Sequence, residues 1–124
     1  MLVKALRTGV GQLIIVGDAL TRPRPRKRSA QGQAAVDADA TALTLYQFHA
    51  CPFCIKTRRA IHRLNVPVAL RDAKNDPQAR EQLKAGGGRV KVPCLRIDEA
   101  NGTRWMYESN DIIAFLEKRF GSVA

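Results

Sequence analysis

The sequence predicts an α/β domain, a four-stranded mixed sheet flanked by helices, preceded by an N-terminal amphipathic helix and a linker. Three observations carry that prediction: a strand–helix–strand run from Leu43 to Arg71 with short links, an Asn101-Gly102 pair between two strand-like runs, and an apolar-faced helix after Ser109. A chain of 124 residues, 45% hydrophobic and 26% charged, is long enough for one modest core and too short for two ordinary domains.

From the start, Val3, Leu6, Val10, Leu13, Gly17 and Leu20 recur at helical steps and lie along one stripe of a helix over residues 1–20. Gly9, Gly11 and Gly17 weaken it by about 1 kcal/mol each relative to Ala, so this helix needs a surface to form on. Residues 21–41 are rich in Pro, Arg, Gln, Ala, Ser and Asp, with Pro23 and Pro25 blocking helix continuation and few large apolar groups. They read as a basic, polar linker, which places the folded domain at residues 42–124.

Within that domain, Leu43 to Phe48 reads as a buried strand, and Pro52 suits the first position of a helix carrying Ile55, Ile61 and Leu64 to the core. A second strand at Val66 to Arg71 makes the pair parallel, joined by a right-handed crossover. A polar helix from Asp76 to Ala85 follows, stopped by Gly86, Gly87 and Gly88. Runs at Val92 to Asp98 and Arg104 to Tyr107 flank Asn101-Gly102, the signature of an antiparallel hairpin whose tight turn needs positive φ at both residues. Ser109 is placed to cap a last helix with Ile112, Ile113, Leu116 and Phe120 on its apolar face and Gly121 past its end.

The net charge of +10 invites a nucleic-acid reading. Its distribution argues against one: residues 1–30 hold Lys4, Arg7, Arg22, Arg24, Arg26, Lys27 and Arg28 against Asp18 alone, leaving +4 of the total for the rest. That arm lacks interleaved aromatics and any base-reading motif, so no nucleic acid is expected. The apolar stretch from Gly9 to Gly17 falls short of the roughly twenty residues a membrane span needs, and no A-x-A cleavage site follows it. An amphipathic helix followed by a basic run instead suits an anionic membrane surface bound through residues 1–28, with a mitochondrial-type presequence as the alternative. Three cysteines, an odd count, point away from a secreted disulfide framework and toward a reducing, cytoplasmic setting.

The chemistry resides in Cys51-Pro52-Phe53-Cys54. At a strand-to-helix handover, Cys51 meets unpaired backbone N–H groups and the positive end of the helix dipole, which favour a thiolate, the attacking species in disulfide exchange. Cys54, one turn on and deeper, is the resolving partner, and Phe53 offers an apolar rim for a substrate. The rival reading is half a zinc site completed by Cys94 and His49. No second C-x-x-C is present, and a pair at the start of a helix in a βαβ setting points to redox work.

The run Leu45-Tyr46-Gln47-Phe48-His49-Ala50-Cys51-Pro52-Phe53-Cys54, then Lys91-Val92-Pro93, then Tyr107-Glu108-Ser109-Asn110-Asp111-Ile112-Ile113, resembles the glutaredoxins and the related N-terminal domain of glutathione transferases, over roughly residues 43–120. The resemblance implies a thioredoxin-like (glutaredoxin) fold and glutathione as reducing co-substrate, with no metal. It further implies a cis bond before Pro93, with the Val92 backbone pairing with the cysteinyl part of glutathione. Glu108 and Ser109 match the pair that takes the ammonium and carboxylate of the γ-glutamyl end; Ser109 as a plain cap and Glu108 as a solvated acid are the alternatives.

Two positions depart from the pattern: Phe48 stands where many glutaredoxins carry a lysine, and Met106-Tyr107 replaces the usual Gly-Gly. Arg89, Lys91 or Arg58 are candidates for the missing cation, and each also reads as a solvated surface charge. Cys94, directly after Pro93, is expected to pack inside.

The function so implied is glutathione-dependent reduction of protein disulfides and glutathionylated proteins, with Cys51 as nucleophile and Cys54 as resolving thiol. The alternative is a carrier of a glutathione-ligated iron–sulfur cluster. A transferase reading calls for a further helical domain that the sequence to Ala124 does not supply.

Overall fold

The computed structural model describes residues 24–124; the helix expected over residues 1–20, and most of the segment assigned to a membrane surface, lie outside them. Eight elements follow in chain order: α1 (Ala30–Ala40), β1 (Leu43–Gln47), α2 (Pro52–Leu64), β2 (Ala69–Asp72), α3 (Pro77–Gly87), β3 (Cys94–Glu99), β4 (Gly102–Tyr107) and α4 (Ser109–Phe120). The strands form one mixed sheet in the order β2-β1-β3-β4, with β1 and β2 parallel and the other pairs antiparallel. This is the thioredoxin-like (glutaredoxin) fold that the resemblance implied.

Period-two alternation along the strands divides the core between the two faces of the sheet. Leu43, Leu45, Leu95 and Ile97 face α1, α2 and α4, where they meet Val36, Ala40, Ile61, Leu64, Ile112, Leu116 and Phe120. Tyr46 and Cys94 face the other way, onto Ala79 and Leu83 of α3, with Trp105 and Tyr107 alongside.

Several expectations need correction. The span read as a linker contains α1. Ser29 caps this helix, its Oγ accepting from Gly32 N–H, and Val36 and Ala40 are 1% exposed in the main core. Composition hid it because the helix is built on alanine, a strong helix former that buries little apolar area, so no stripe of large residues announces it. The domain therefore extends upstream of residue 42. Arg26 and Arg28, assigned to a lipid-facing run, are committed inward: Arg26 donates to the Gly121 carbonyl, and Arg28 to the carbonyls of Phe120 (3.1 Å), Val123 (3.0 Å) and Asn65 (3.2 Å).

Other differences are local. The second strand begins only at Ala69, because Pro67 has no N–H to donate, although Val66 and Val68 are still buried. Helix α3 continues through Gly86 and Gly87, where a Cβ would run into the Trp105 ring and the Tyr107 hydroxyl; the glycines let both aromatics lie against the helix. In the hairpin the two-residue loop is Ala100-Asn101, and only Gly102, which follows it, takes a positive φ, of 138°. Ser109 is the first helical residue of α4 and not its cap, a position held by Glu108 with φ 70°.

Candidate active site

The sheet register gathers three segments that are far apart in sequence. Tyr46, Cys94 and Tyr107 stand in one row across β1, β3 and β4. Because β3 runs opposite to its neighbours, the residues after Tyr46, those before Cys94 and those after Tyr107 all leave the sheet at the same end. Cys51, Val92-Pro93 and Glu108-Ser109 are thereby brought to one end of the domain.

Pro52 opens α2 with a helical φ and no N–H to lose, so Cys51 becomes the N-cap in extended conformation (φ −71°, ψ 126°). Its carbonyl accepts the first helical bond, from Ile55 N–H at 2.9 Å. The N–H groups of Phe53 and Cys54 then have no carbonyl within the helix to bond to.

Cys51 is partly exposed, Cys54 is fully buried one helical turn on, and both are free thiols. Burial pushes the Cys54 thiol up to about 12; Cys51 adds to the rise, while Phe48 N–H, donating to Cys54 Sγ at 3.5 Å, and the Arg58 charge oppose it. The pair is asymmetric, with one thiol reachable from solvent and the other withheld and protonated. Phe53 projects beside them, 63% exposed.

At the facing segment the Val92–Pro93 bond is cis, in agreement with the resemblance. Val92 is half-buried and Pro93 buried. At the third segment Glu108 turns the chain into α4 and accepts Ile112 N–H at 3.1 Å. Ser109, Asn110 and Asp111 are thus left as the helix residues whose N–H groups lack an intrahelical acceptor. The Glu108 carboxylate is exposed and paired with Lys91 Nζ at 2.6 Å; that hydrogen bond, and then the lysine charge, hold it below the usual carboxylate range.

The three cations singled out in the sequence all have partners. Lys91 holds Glu108, and the Arg89 guanidinium lies over the Tyr107 ring at 4.6 Å. Arg58 donates to the Gln47 side chain and, at 2.8 Å, to the His49 carbonyl. Cys94 is not gathered with the other thiols: it is 0% exposed on the α3 face, where burial pushes it up to about 11. Sequence reasoning missed the Lys91–Glu108 pair and the Arg58 contacts with the Cys51 loop. The only signal for the latter was the placement of Arg58 one turn beyond Cys54 on α2.

Residues 43–100 match the family model of the glutaredoxins. Over 79 residues, 64% of the chain, the sequence is 33% identical to glutaredoxin 2 of Escherichia coli, and over 80 residues it is 35% identical to prostaglandin E synthase 2 of Danio rerio. The chain spans 34% and 20% of the lengths of those two proteins.

Among solved structures, it is similar to a maleylacetoacetate isomerase from Anaeromyxobacter dehalogenans with GSH bound in its active site, at a TM-score of 0.51 and 25% identity, covering 67% of this chain and 39% of that one. Glutathione transferase Omega 3C from Trametes versicolor shares the fold at a TM-score of 0.53 and 17% identity, over 80% of this chain and 43% of that one. Over residues 43–100 the chain is thus similar to the glutaredoxins of the thioredoxin superfamily.

Proposed function

We infer that this protein is a glutathione-dependent thiol–disulfide oxidoreductase acting on protein disulfides and glutathione mixed disulfides. The observation that carries the reading is the partly exposed Cys51 thiol at the N-cap of α2, backed by the free, buried Cys54 thiol one helical turn on.

Cys51 as thiolate attacks one sulfur of a disulfide. A Cys51–sulfur bond forms, the original S–S bond breaks, and the leaving thiolate takes up a proton. Cys54 then attacks Cys51 Sγ, releasing the second half of the substrate and closing a Cys51–Cys54 disulfide. Glutathione supplies the thiols that return this disulfide to the dithiol.

The residues at this end of the sheet suit that co-substrate. Val92, beside the cis Pro93, offers backbone to its cysteinyl part, and Phe53 an apolar rim. The N–H groups at the start of α4, beginning with Ser109, suit a carboxylate, and Glu108 suits an ammonium once Lys91 is displaced.

The test is a glutathione-coupled reduction of a small mixed disulfide with the intact protein and with Cys51→Ser and Cys54→Ser. Loss of activity with Cys51→Ser and its survival, at least in part, in Cys54→Ser is the expected pattern. An inactive intact protein overturns the reading, and visible absorbance that depends on Cys51 would favour the cluster-carrier alternative.

A further inference from the structure

The loop that delivers Cys51 to the start of α2 consists of Phe48, His49 and Ala50, and α2 itself holds it. Phe48 N–H donates to Cys54 Sγ, and Cys51 N–H closes the loop onto the Phe48 carbonyl at 3.3 Å. The other hold is Arg58, one helical turn past Cys54. Its guanidinium forks, one nitrogen donating to Oε1 of Gln47 at the end of β1 and the other to the His49 carbonyl within the loop, at 2.8 Å.

Gln47 is a firm anchor: its side chain is buried at 6% exposure, and its carbonyl accepts Ala73 N–H at 3.0 Å, tying it to the segment after β2. A planar guanidinium with two donors in a fixed fork suits such a double contact, which a single ammonium cannot reproduce.

We propose that Arg58 is a positioning residue of the redox site: it clamps the Cys51 loop against α2 and so sets the approach of Cys54 to Cys51. The proposal rests on the oxidoreductase reading and deepens it. The step concerned is internal. With a mixed disulfide on Cys51, Cys54 loses its proton and attacks Cys51 Sγ; the Cys51–Cys54 bond forms, the bond from Cys51 to the substrate sulfur breaks, and the substrate leaves as a thiolate carrying the electron pair. Such an attack depends on alignment of the two sulfurs, whereas the first attack, by Cys51 on a disulfide arriving from solution, does not involve Cys54. A loosened loop therefore affects the second step far more than the first.

The experiment follows the reduced protein mixed with dithiobis-nitrobenzoate, whose coloured thiolate is released once when Cys51 attacks and again when Cys54 resolves. Arg58→Lys keeps the charge and loses the fork, Arg58→Gln loses both, and Gln47→Met removes one anchor while leaving Arg58 in place. The expected result is a second phase slowed about tenfold or more in both Arg58 variants, and less in Gln47→Met, as misalignment of reacting groups predicts. The first phase, measured also in a Cys54→Ser background, should change less than about threefold, since its geometry does not involve Cys54.

A second phase unchanged in folded Arg58 variants overturns the proposal. So does equal slowing of both phases, which would make Arg58 a purely structural residue. A parent protein in which Cys51 reacts but no second phase occurs, or in which Cys51 does not react, removes the oxidoreductase reading itself. That failure is separate from one seen only in the variants.

Discussion

The two ends of α2 face opposite demands and meet them in opposite ways. At the N-terminal end the cap is Cys51, which makes no side-chain cap bond, and the open N–H groups are left for an anion. At the C-terminal end almost nothing is left open. Asn65 ends the helix in the left-handed conformation (φ 55°), and its carbonyl accepts from Arg28 and from Gln33 Nε2 at 2.9 Å. Arg28 also serves the last carbonyls of α4 and of the tail, which joins two helix C-termini through one cation held where the dipoles favour it. One helix thus has a reactive end and a sealed end, and the groups that seal it come from upstream of the segment that resembles the glutaredoxins.

The largest effect should follow a change at the reactive end. Cys51→Ser abolishes disulfide exchange while leaving the melting temperature close to that of the parent, because the hydroxyl can still occupy the cap; a variant that kept its activity would break the comparison. At the sealed end, Arg28→Ala leaves three carbonyls without this donor. It should cost about 2 kcal/mol in urea denaturation at neutral pH, the scale of hydrogen bonds to a charged group. Labelling of Cys51 by iodoacetamide should stay within about twofold in the same variant, as it does for sites with no shared partners. An unshifted urea midpoint would show that the sealing contacts contribute nothing.

A smaller effect is expected from the buried thiols. Burial raises Cys54 to about 12 and Cys94 to about 11 against an ordinary 9.0, so the unfolded chain gives up these protons first as pH rises. The stability they contribute is complete below pH 9 and is lost as pH climbs through 11 to 12. In the reduced protein the urea midpoint should therefore fall above pH 9, and fall less steeply in Cys94→Ala. Below that pH, iodoacetamide should label Cys51 alone. Smallest of all in stability is Glu108→Gln: the Lys91 pair is solvent-exposed, so the melting temperature should not move, whereas binding of glutathione should weaken in titration calorimetry.

The sequence by itself determined the elements whose cause is local. Pro52 after a strand, glycine at the hairpin and large apolar residues at helical and alternating spacing are read from neighbours in the chain, and α2, α3, α4 and the β3–β4 hairpin were legible for that reason. The C-x-x-C pair, Val92-Pro93 and Glu108-Ser109 were likewise legible as motifs. Only the tertiary structure decided what depends on distant partners. Helix α1 is alanine-rich and becomes visible once Val36 and Ala40 meet the core and Asp39 pairs with Arg119 of α4 at 2.6 Å. The fate of Arg26 and Arg28 depended on carbonyls at the far end of the chain, and the role of Arg58 on where Gln47 and the His49 carbonyl come to lie. A guanidinium carries the same charge in an exposed run as in a clamp, and only the position of its acceptors tells the two apart.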